Sequence, residues 1–266
     1  STHPADSVVV RDSALLTGNT ANMGGGLFLD CANGAAELTL DGGEISGNTV
    51  TSGKGGAIYI KSGGVVNIYG GTIKDNHVYS GDGGAIYVEA GGTLNLYGGM
   101  ITGNTASGLG GGIYVEAGGR VNIQGAPVVT GNTAGGKPNN VYVCVDSTSP
   151  LLTISGELTD GAKLGVSTDA SYPVLLAGSM HDYSAYFAPD DPDAFVLFSG
   201  SALTLCAKPS ATLVFPSVRR KRDSMALPRR ASAPSRSRSV PAAVPRTMET
   251  ISTSVFSPLS IPLTPA

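Results

Sequence analysis

The sequence predicts an all-β fold: a right-handed parallel β-helix whose coils of about 28 residues each supply three strands and stack one on the next. Three observations predict it. Asn19, Asn48, Asn76, Asn104 and Asn132 recur at spacings of 29, 28, 28 and 28 residues. Three short strand-like pieces recur between them in constant order. Glycine pairs separate the pieces, in a chain with 38 glycines and no tryptophan.

The first piece is "GGGLFL" (24–29), "GGAIYI" (55–60), "GGAIYV" (83–88), "GGGIYV" (110–115) and, in degenerate form, "PNNVYV" (138–143). The second is "LTLDGG" (38–43), "VNIYGG" (66–71), "LNLYGG" (94–99), "VNIQGA" (121–126) and "LTISGE" (152–157). The third ends in the periodic asparagine, as in "EISGNT" (44–49) and "MITGNT" (100–105). Each piece is too short to bury its apolar side alone. Stacked at ~4.8 Å, like pieces pair as three parallel sheets around one core. Alternation points Val66, Ile68, Leu94, Leu96, Val121 and Ile123 inward, with Ile58, Ile60, Ile86, Val88, Ile113 and Val115; Asn67, Asn95 and Asn122 face out.

A coil that turns sharply three times needs residues with positive φ and places where one backbone can lie against another, and glycine supplies both. Of the 38 glycines, 29 fall in residues 24–126, where the repeat is cleanest. The five asparagines are expected to form a structural ladder of buried amides along the stack, since buried amides need partners. A leucine-rich repeat fits the period but requires a helix that the paired glycines would break. A left-handed hexapeptide helix fails because no six-residue repeat is present. Parallel crossovers are right-handed, which sets the expected hand.

Three segments follow. Residues 1–150 hold the β-helix repeats. Residues 151–208 keep the alternation but lose the period, in "YPVLLAG" (172–178) and in a hairpin around Ser199-Gly200-Ser201; they are expected to cap the last open edge of the solenoid. Residues 209–266 form a basic Pro/Ser/Arg-rich tail, expected to be disordered. The net charge of −3 averages unlike parts: residues 1–218 carry 18 acidic and 8 basic side chains, residues 219–266 carry 2 and 9. The basic run lacks interleaved aromatics or a binding fold, so it reads as a flexible linker and not as a nucleic-acid site. No apolar run approaches the ~20 residues of a membrane helix. The chain opens straight into repeat material and is expected to be a piece of a longer protein, monomeric as such.

"ISGNTVTSGKGGAIYI" (45–60) and "ITGNTASGLGGGIYV" (101–115) resemble the repeat of chlamydial polymorphic outer membrane proteins, which pairs a hydrophobic-x-x-Asn motif with Gly-Gly-Ala-Ile. They are similar also to adhesin-like β-helix proteins of other bacterial surfaces. The resemblance implies an extracellular, cell-attached module used in adhesion and carries over no catalytic residues.

The residues allow two classes of function. Alternation places Phe28, Tyr59, Tyr87, Tyr114 and Tyr142 outward at one position of five coils, a stripe about 20 Å long suited to glycans or to host or matrix proteins; a ring ladder that only stabilises the sheet is the alternative. Glu89 and Glu116 align one coil apart, with Lys61 and Asp30 at the equivalent position, and are candidate ligand contacts. As paired carboxylates they are also the nearest thing to the site of a polysaccharide lyase or hydrolase, enzymes that share this pectin-lyase-like architecture. His77 and His181 are isolated, and no nucleophile triad, metal spacing or phosphate loop is present. The reading is a non-catalytic cell-surface module with no cofactor and no metal. Three cysteines make no framework: Cys31 and Cys144 sit about four coils apart, roughly 19 Å, whereas Cys144 and Cys206 come within reach if the cap folds back.

Overall fold

A computed structural model describes residues 6–31, 36–145 and 152–209. Residues 1–212 form one compact unit. The second unit, 213–266, holds nearly all of the expected disordered tail and lies outside the described residues.

The described residues form a β-solenoid of about 5 turns, with a single 3-10 turn, Ser184–Tyr186, and no α-helix among them. The three pieces build three parallel faces. Face 1 stacks Leu27–Leu29, Ile58–Ile60, Ile86–Val88, Ile113–Val115 and Val141–Val143, with Tyr59, Tyr87, Tyr114 and Tyr142 in register. Face 2 stacks the first half of Ala36–Ser46 with Val65–Ile68, Thr93–Leu96, Arg120–Gly125 and Thr153–Leu158. Face 3 stacks the second half of Ala36–Ser46 with Thr72–Lys74, Met100–Thr102 and Val128–Val129. The strand Asp6–Thr17 lies along the first rung of faces 2 and 3.

The inward positions are filled as alternation requires. Ile58, Ile60, Ile86, Val88, Val66, Leu94 and Ile123 are all buried in one continuous core. Each such side chain contributes roughly 1.5–3 kcal/mol by leaving water, and no coil could assemble that environment without its neighbours.

A fourth, shorter ladder joins the three predicted faces. Thr20–Met23, Thr49–Lys54, His77–Val78, Thr105–Ala106 and Thr133–Ala134 pair just after the asparagines. It encloses a separate small cluster of Val50, Val78, Ala106 and Ala134. In three of its five coils the ladder is only two residues long, too few to show period-two alternation, so this corner did not stand out as a strand in the sequence.

The Gly-Gly pairs that open face 1 divide their labour. The first glycine has positive φ, +68° at Gly55 and at Gly83. The second lies under the next coil: a Cβ on Gly56 would run into the carbonyl oxygen of Gly84, and one on Gly84 into that of Gly111.

Parallel stacking runs on past residue 150. Thr153–Leu158 is a rung of face 2, and Lys163–Thr168 passes directly from face 3 to face 1. Phe187–Pro189 pairs above it. The described residues end in a three-stranded antiparallel sheet in the order Val174–Gly178, Ala202–Ala207, Ala194–Ser199. The Ala194–Ser199/Ala202–Ala207 hairpin turns at Gly200, where φ is +65°. The Cys144–Cys206 pair that a folded-back cap would allow is not formed: all three cysteines are free.

Candidate functional site

The periodic asparagines form a column. From Asn19 to Asn104, the backbone N–H and side-chain Nδ2 of each both donate to Oδ1 of the asparagine one coil on, at 2.8–3.0 Å. The amides also bond to the strand carbonyls around them, as Asn76 Nδ2 does to Ile45 and Lys74. Asn48, Asn76, Asn104 and Asn132 are fully buried. Sequence spacing did not reveal how the column ends. Asn140, only eight residues beyond Asn132, takes the next place and accepts its donors at 2.9 and 3.1 Å. The Asp190 carboxylate then accepts from Asn140 N–H and Nδ2 at 2.6 and 2.5 Å, and from the Ser167 hydroxyl at 2.8 Å. Asp190 comes from "APDDPD" (188–193), 50 residues away from Asn140, and carries no periodic signal.

The face 1 aromatics stack as a ladder. Ring centroids are 5.2 Å apart for Phe28–Tyr59, 5.1 Å for Tyr59–Tyr87, 5.0 Å for Tyr87–Tyr114 and 5.7 Å for Tyr114–Tyr142. Tyr59, Tyr87 and Tyr142 are only 5, 1 and 8 % exposed and Tyr114 is half-buried, which favours the sheet-stabilising ring ladder over an open contact stripe. Face-to-face stacking hides each ring between its neighbours, and Lys54 lies over Tyr87 with Nζ 4.3 Å from the ring centroid. Phe28, at the end of the ladder, is the most open of the five.

Glu89 and Glu116 are committed to the frame as well. Glu116 accepts from the Tyr87 hydroxyl and from Ala90 N–H, and is 3.1 Å from Lys54 Nζ. Glu89 takes the same post one coil earlier, accepting from Ser62 N–H at 3.0 Å. Lys61 pairs with Asp30 at 3.2 Å. Each carboxylate thus pins the turn of the coil before it. Burial would raise the Glu116 carboxyl, but the Tyr87, Ala90 and Lys54 contacts outweigh it and hold it below the usual range. Burial, first, and then the charges of Glu89 and Glu116 push the Tyr59 phenol up to about 12. Burial also raises the Cys144 thiol, although the Tyr114 hydroxyl 3.0 Å away works against it. Among the described residues no three metal-ligating side chains cluster.

The outer side of face 2 carries a second ladder that the sequence placed outward without pairing. Asn122 Nδ2 donates to Asn95 Oδ1 at 2.8 Å, Asn95 to Asn67 at 2.7 Å, and Asn67 to the Glu37 carboxylate at 2.6 Å. It runs in the opposite sense to the buried column. Beside it Tyr69 and Tyr97 stack at 4.6 Å, with Tyr69 52 % exposed. The signal was available: "VNIY" and "LNLY" repeat both residue types at the same places.

The model of the Chlamydia polymorphic membrane protein repeat matches residues 42–61 and 100–116. Both stretches run from the face 3 strand or the turn before it, through the buried asparagine, into face 1. No curated protein and no solved structure matches the chain.

Proposed function

We propose that this chain is a non-catalytic, adhesin-like module of a bacterial cell surface, a stiff rod whose face 2 binds an extended glycan running along the solenoid axis. The repeat it carries is named for a membrane protein of Chlamydia, which supports a surface location. The observation that carries the binding role is the strip Asn67–Asn95–Asn122 beside Tyr69–Tyr97. Asn95 uses one N–H and one lone pair in the ladder and Asn122 one N–H, so both half-buried amides keep a donor and an acceptor for a ligand, whereas Asn67, 8 % exposed, anchors the ladder on Glu37. At Asn95 and Asn122 the strip therefore offers neutral donor–acceptor pairs ~4.8 Å apart, chemistry that suits a polymer of hydroxyls. The rings beside it add apolar edges of the kind sugars pack against. Glu89 and Glu116 support a non-catalytic reading because their oxygens are held by turn amides, Tyr87 and Lys54.

A glycan array tests this. Binding should fall about tenfold or more in Asn95→Ala and in Tyr97→Ala, each removing one well-packed contact of ~1.4 kcal/mol or more, and should persist in Glu116→Gln. Cleavage of an acidic polysaccharide that disappears in Glu116→Gln would replace this reading with a lyase or hydrolase.

A further inference from the structure

Among the described residues, the face 2 strand Thr153–Leu158 has a neighbour on one side only, and so does Val174–Gly178 in the antiparallel sheet. The two open edges meet at one point, where Leu152 N–H donates to the Leu176 carbonyl at 2.9 Å. Beyond that bond they border an open cleft of about 570 Å³, lined by Ile154, Gly156, Glu157, Gly178, Met180 and His181 among others. Ser179 N–H, bonded to the Ser201 carbonyl at 2.9 Å, ties the adjoining loop to the hairpin.

The solenoid strand is irregular where it lines the cleft. Ile123 pairs with Ile154 and Gly125 with Leu158, so Ser155, Gly156 and Glu157 together oppose Gln124 alone. A bulge of this kind takes backbone N–H and C=O groups out of the ladder and re-aims them. Gly156 is packed against the Gln124 side chain so tightly that a Cβ would collide with it, which leaves bare backbone at the centre of the bulge.

We propose that this cleft docks an extended, cationic segment of a partner protein by strand addition, with main-chain hydrogen bonds to the open edges. Strand addition draws affinity from unpaired edge groups and selectivity from the side chains beside them. Among the described residues, the lining holds the carboxylate of Glu157, exposed, and no lysine or arginine, so the matching charge on the partner is positive. Met180, 88 % exposed, and half-buried Ile154 supply the apolar contact; an exposed, flexible thioether suits an interaction surface.

The probe is an acetylated, amidated hexapeptide alternating valine and lysine, titrated into the full chain and followed by calorimetry and amide NMR. Saturable binding is expected, with shifts centred on Gly156, Glu157 and Gly178. Glu157→Gln should weaken it about threefold, the scale of one exposed ion pair, with an unchanged melting temperature because Glu157 is exposed. N-methylation of alternate peptide bonds should abolish binding, and a valine–glutamate peptide should not bind. No saturation by about 1 mM, a Kd too weak to matter, would overturn the proposal. So would equal binding of the N-methylated or the acidic peptide, or shifts confined to the Asn67–Asn95–Asn122 strip.

Discussion

Asn104 is buried from water, yet all of its side-chain polar atoms have partners: Asn76 on one side, Asn132 on the other, and the carbonyls of Ile73 and Thr102. Asn104→Ala orphans several of these at once, and each buried unsatisfied group costs about 1–3 kcal/mol. The urea midpoint should therefore fall by an amount equivalent to roughly 3 kcal/mol or more, whereas Asn19→Ala, at an exposed position with a single ladder partner, should cost less than about 1 kcal/mol. Glu116 sets a pH dependence. Its carboxyl is held low in the folded state, so its stabilisation is complete above the ordinary value of 4.5 and is lost as pH falls through the lowered one. The melting-temperature gap between the native chain and Glu116→Gln should be widest near neutrality and close in acid. The buried column was legible because one residue type repeats where only one environment exists. Lys54 was not: its partners lie 33 and 62 residues away, and only the stacked coils bring them to it.

Among elements, the glycine corners and the ring ladder on face 1 show how far local pattern reaches. Gly84 sits under Gly111 with no room for a Cβ, while nothing lies within 4 Å of a Cβ on Gly178. Gly84→Ala should shift two coils and lower the melting temperature strongly, on the scale of overpacking, about 1–3 kcal/mol; Gly178→Ala should be close to neutral. The phenols of Tyr59 and Tyr142, pushed up to about 12 chiefly by burial, add stability that is full below about 10 and is lost as pH rises through 12. Their ionisation, followed by phenolate absorbance, should coincide with alkaline unfolding. Alternation told correctly that these rings leave the core side of the strand. It could not tell that in-register stacking would then cover them, because outward and exposed are the same thing in one coil and different things in five.

At the scale of the molecule, the solenoid was legible through residue 145 because every coil repeats the same contacts. The closing coil was not, since Asn140 and Asp190 replace a 28-residue step by chain arriving from elsewhere. Asp190→Ala should therefore act locally. Hydrogen exchange should quicken first at Asn132 and Asn140, while Asn48 and Asn76 keep their protection, as expected of a stack whose units contact only their neighbours.

The two amide columns run in opposite directions, and each stops on an acid, Glu37 at one end and Asp190 at the other. Between these stops every asparagine hands on the bonds it receives. Length is therefore a free variable: a tandem duplication of one unit, such as residues 49–76, would splice into both columns without disturbing either terminus. Such a lineage could grow taller or shorter by whole storeys while its ground floor and roof stayed as they are.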